Sequence, residues 1–70
     1  MKYKVIKEYC GDQSVIGTFS DYTRALNRAI EVAKSNSSSE FHGEIQEALE
    51  NRGYYMCGWS STKVLLEEVN

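Results

Sequence analysis

The sequence predicts a small α+β domain in which a mostly antiparallel sheet of three to four strands carries two helices on one face, in the order ββααβ(β). Three observations lead there. Apolar residues recur at helical spacing in two neighbouring central segments, β-compatible runs occupy both ends of the chain, and the breaks between them are short clusters of Gly, Asp, Asn and Ser. Two helices that each bury one stripe, joined to strands by short turns, are best accommodated together on a single face of an antiparallel sheet.

Each element has a local justification. Lys2 to Cys10 alternates imperfectly, with Tyr3, Val5 and Tyr9 on one side and Lys4, Ile6 and Glu8 on the other, the signature of a strand with one better-buried face. Gly11-Asp12-Gln13 reads as the turn of a hairpin, and Ser14 to Phe19 returns through Val15, Ile16 and Phe19. Ser20 or Asp21 then offers a side-chain oxygen to the free amides of a first helix. In that helix Tyr22, Leu26, Ala29, Ile30 and Ala33 share a face, and it ends near Lys34. Ala25, Ala29 and Ala33 are small enough for close seating, while Arg24, Arg28 and Glu31 fall on the outer side.

Asn36-Ser37-Ser38-Ser39 is too short to link two domains, and Ser37 with Glu40 three residues on matches a capping box. The second helix, over residues 37 to 52, places Phe41, Ile45 and Leu49 within about 80° of one another, with Ala48 beside them. Glu40, Glu44 and Glu47 lie roughly 100° or more from the middle of that arc and form a charged stripe facing water. Gly53 suits the position just past the helix end. Tyr54 to Trp59 follows as an aromatic strand, Ser60-Ser61 as a turn, and Thr62 to Val69 as the last strand.

Composition bounds the function. A chain of 70 residues forms one domain, 1–70, and buries only ~60% of the surface its unfolded state exposes, so no large internal cavity is expected. Such small scaffolds often gain buried area from a partner subunit, which makes a homodimer one expectation. The net charge of −2 is uneven: residues 1 to 39 carry six Lys/Arg against four Asp/Glu, and residues 40 to 70 carry two against six. Only Arg24 and Arg28, one helical turn apart, form a compact basic pair, so nucleic acid is disfavoured as a partner. No run approaches the ~20 apolar residues of a membrane span, and MKYKVIKEYC lacks the features of a signal peptide. The expectation is a cytoplasmic protein off the membrane, with Cys10 and Cys57 reduced.

Nothing in the spacing of chemically active residues points to catalysis, a metal or a cofactor. His42 is the sole histidine; Cys10, His42 and Cys57 are isolated from one another, short of a four-ligand zinc set and without an orienting third group for a Cys-His nucleophile. Glu40, Glu44, Glu47 and Glu50 sit on a surface helix face, away from the cleft that acid-base work requires. No phosphate-binding or metalloprotease motif is present. The anomaly is Tyr54-Tyr55-Met56-Cys57-Gly58-Trp59. With helices on one face of the sheet, either Tyr55 and Trp59 or Tyr54 and Met56 meet solvent, and such aromatics anchor protein interfaces.

The sequence therefore favours a protein-binding module, an adaptor or inhibitor that covers a partner protein through Glu40, Glu44, Glu47, Tyr55 and Trp59. Phage and mobile-element inhibitors of host machinery, anti-CRISPR proteins among them, are comparable in size, with no shared motif. The alternatives are a nucleic-acid-associated protein using Arg24, Arg28 and the basic first strand, and a small Cys/His metal or redox protein.

Overall fold

The structure is a computed structural model that describes residues 1–35, 42–57 and 61–69. Its elements are β1 (Lys2–Tyr9), β2 (Asp12–Phe19), α1 (Tyr22–Ser35), α2 (His42–Arg52), β3 (Tyr54–Met56) and β4 (Thr62–Val69). The strands form one sheet of order β2-β1-β4-β3, every neighbouring pair antiparallel. The expected α+β class holds, with four strands, and the first and last strands are paired at its centre.

The hairpin turn lies one step earlier than the sequence suggests. Tyr9 pairs with Asp12, so the loop is Cys10-Gly11 alone, with φ of 51° and 89°. Positive φ at both central residues is the turn geometry whose twist matches that of the flanking strands. Gly11 adopts it freely, whereas Cys10 does so against its own Cβ. Farther along, the register slips at Val5/Ile6: Val5 faces Gly17 and Ile6 faces Val15, leaving Ile16 as the extra residue, packed against the core.

Asp21, not Ser20, caps α1: its carboxylate accepts from the Arg24 amide at 3.2 Å and its carbonyl from the Ala25 amide at 3.1 Å. Ala25, Ala29 and Ala33 are wholly buried beside Leu26, Ile30 and Val32. Tyr22 sits at the rim instead of inside, its ring edge-on to Tyr3 with centroids 5.3 Å apart. Partial burial, and after it the Glu50 carboxylate late in α2, raise the Tyr22 hydroxyl above its ordinary pKa.

In α2, Ile45, Ala48 and Leu49 are buried as expected, while Ser37, Glu40 and Phe41 lie outside the described residues. Gly53 ends the helix with φ of 82°. Its amide donates to the Leu49 carbonyl at 3.0 Å, and its own carbonyl accepts from the Leu66 amide at 2.8 Å, which ties the helix end to the sheet. β3 covers Tyr54–Met56, and Cys57 continues its register by donating its amide to the Thr62 carbonyl at 2.9 Å; Gly58 and Trp59, the rest of the expected aromatic strand, lie outside the described residues.

Register assigns the faces. Val5, Leu66, Val64 and Tyr55 occupy the helix side and join α1 and α2 in one core. Ile6, Val15, Leu65, Tyr54 and Met56 point the other way, where no described helix covers them.

Leu49→Ala should lower stability by ~2–5 kcal/mol in denaturant titrations, because it empties a site only 2% exposed, whereas Glu44→Gln should stay within ~0.5 kcal/mol. Cys10→Asn should raise the unfolding free energy by about 0.5–1 kcal/mol, seen as a higher denaturation midpoint at an unchanged m-value, since Asn tolerates positive φ far better.

Candidate functional site

Glu44, Glu47, Ala48 and Asn51 recur at helical spacing along the flank of α2, one stripe round from the core-facing Ile45 and Leu49. With Arg52 and Tyr55 they line a groove of about 550 Å³ between that flank and the edge strand β3. Ala48, 8% exposed, and the half-buried Tyr55 give it an apolar floor, and the exposed Glu44 and Glu47 form an acidic wall. Arg52 stands at the C-terminal end of the helix, its guanidinium 5.1 Å from the centroid of the Tyr54 ring, which the Lys63 ammonium also approaches at 4.6 Å. Glu44 in the first turn and Arg52 in the last both complement the helix dipole, so the charges that shape the groove also suit the helix that carries them.

The groove thus grades from two carboxylates to one cation along about two helical turns. It can accept an apolar stem, held by Ala48 and the Tyr55 ring, that ends in a positive group beside Glu44 and Glu47. Both carboxylates are exposed and open to a ligand's positive group from solvent.

Of the residues singled out in the sequence, Glu44, Glu47 and Tyr55 come together here. Glu40 and Trp59 lie outside the described residues. Arg24 and Arg28 are on the outer side of α1, where Arg28 pairs with Glu31. The basic surface imagined for nucleic acid is divided by the fold: register puts Lys2 and Lys4 on the uncovered sheet face and Lys7 on the helix side, so the strand's lysines and the helix's arginines do not form one patch. Asn51 and Arg52 went unrecognised. The spacing 44, 47, 51 could have revealed the first, whereas Arg52 matters through its approach to Tyr54 across the Gly53 bend.

Cys10 is exposed in the hairpin turn, and Cys57 is buried with its thiol donating to the Ala33 carbonyl at 3.7 Å. Burial raises the Cys57 pKa above that of an ordinary thiol, with the nearby Lys7 ammonium opposing the effect. His42 opens α2. Among the described residues no group of three or more His, Cys, Asp or Glu is placed to hold a metal ion, and no described helix is long and apolar enough to cross a membrane.

A thiol reagent at pH 8 should therefore label Cys10 promptly in the native protein and Cys57 only on unfolding, as read by mass spectrometry of alkylated peptides. Equal labelling of both would contradict the packing of Cys57.

Comparison of the chain with protein-family models, with curated sequences and with solved structures returns no match.

Proposed function

We propose that this protein is a binding module, an adaptor or inhibitor that acts by occupying the surface of a partner protein, and that the α2/β3 groove is its contact site. The observation that supports this reading is the convergence of Glu44, Glu47 and Tyr55, separated in sequence, on one open concavity. Tyr55 offers large, rigid contact area at low entropic cost, and the two carboxylates supply charge selectivity. The partner surface this chemistry fits presents Lys or Arg side chains whose aliphatic stems can lie on Ala48 and Tyr55. The reading is of a protein that covers and does not transform, working with both thiols free in a reducing, cytoplasmic setting.

Affinity purification from host-cell extract, read by mass spectrometry, provides the test. The unaltered chain should retain a partner in stoichiometric amount. The double variant Glu44→Lys/Glu47→Lys, at an unchanged melting temperature, should bind that partner at least ~10-fold more weakly, equivalent to ~1.4 kcal/mol or more. Retention of the same partner by the charge-reversed protein, or no partner at all, would remove the proposal.

A further inference from the structure

The face of the sheet that no described helix covers has a regular pattern, with Ile6 at its centre 6% exposed. In register across all four strands, Val15, Ile6, Leu65 and Tyr54 form a continuous apolar row. On one side of it lies the row Thr18, Lys4, Glu67; on the other, the row Gln13, Glu8, Lys63, Met56. The two central strands therefore present Lys4 beside Glu67 and Glu8 beside Lys63, a checkerboard of charge around Ile6 and Leu65. Among the described residues neither cross-strand pair closes as an ion pair; Glu8 instead accepts from the Gln13 amide at 2.9 Å, and Lys63 rests on Tyr54. Val15 and Met56 are 59% and 64% exposed.

A checkerboard of this kind is complementary to a copy of itself. We infer that this face is a homodimer interface, in which two chains pack sheet on sheet about a two-fold axis that runs along the strands between β1 and β4. That rotation lays β1 of one chain over β4 of the other and β2 over β3. Lys4 then meets Glu67 of the second copy, Glu8 meets Lys63, and Ile6 meets Leu65, each contact occurring twice, as an isologous interface demands. The small Val15 meets the large Tyr54, so bulk opposes space at both edges. Aligned sheets cross at about 30°, which moves a row about 7 Å from the centre sideways by only about 4 Å, within the reach of Lys and Glu side chains.

Three strands of eight residues cover roughly 14 × 27 Å, about 400 Å² per copy before side-chain relief, so the interface is small and the dimer is expected to be a weak, reversible one. The α2/β3 groove opens on the helix side and stays free in such a dimer. Two grooves would then face outward from one assembly, which adds avidity to any partner that presents two sites. The interface does not depend on the groove's role.

Sedimentation equilibrium at concentrations up to about 1 mM should show a monomer-dimer equilibrium. Lys4→Glu sets a carboxylate against Glu67 of the second copy and should weaken dimerisation at least tenfold. The exchange Lys4→Glu/Glu67→Lys should restore it, because the axis swaps those two positions. Val15→Glu, altering an exposed edge residue, should also give a folded monomer by circular dichroism, so the test does not rely on one variant folding. A monomer at the highest concentration, a dimer indifferent to Lys4→Glu and Val15→Glu, or an exchanged variant that folds yet stays monomeric would each overturn the proposal.

Discussion

The seating of α1 on the two central strands is the contact from which the rest of the molecule follows. Ala25, Ala29 and Ala33 have no exposed surface, and opposite them Val5 and Val64 are equally enclosed. Small side chains on the helix let its backbone approach the sheet, so a chain of this length can make a dense core without large residues on both sides. Because β1 and β4 are neighbours there, the same contact joins the two ends of the sequence. A single helix over the centre leaves room on that face only toward β3, and α2 occupies it, with Ile45 and Leu49 directed inward.

That placement creates the groove. α2 rests against an edge strand of three residues, so its flank overhangs the end of the sheet and does not lie flat upon it. Gly53 holds the geometry: it reverses the chain in a conformation that side-chain-bearing residues rarely adopt, and its carbonyl is bonded to Leu66. Tyr55 is thereby brought under Ala48, and Arg52 up to Tyr54. Both described helices lie on one face, and on the other, which no described helix covers, Ile6 is still only 6% exposed. A sheet face carrying an apolar row between two charged rows is amphipathic in a manner that a solvent-facing sheet does not require.

Much of this was legible locally. The period of the apolar residues in both helices, the short oxygen-bearing side chain ahead of α1, the glycine behind α2 and the bounds of β4 all follow from forces that act within a few residues, and the structure agrees with them. Where local reasoning missed, a tertiary requirement had prevailed. The hairpin turn contracted to Cys10-Gly11 because strand twist favours that geometry, even at the expense of a non-glycine residue with positive φ. Of the expected aromatic strand, β3 takes Tyr54–Met56, and Cys57 keeps the register by bonding Thr62. Tyr22, which shares the apolar period of α1, lies at the rim, where the first turn of the helix meets Tyr3 near the start of β1.

The sequence by itself determined the class of fold, the cap that begins α1, the glycine that ends α2 and the acidic character of α2, since periodicity, capping and charge are written residue by residue. Only the tertiary structure decided that β1 and β4 are neighbours, that Tyr55 completes the groove while Tyr54 faces away, and that the lysines of β1 part company with the arginines of α1. The reason is physical: strand order and register depend on contacts between residues as far apart as Lys2 and Val69, and a one-residue shift of register would exchange every side chain of a strand between the two faces.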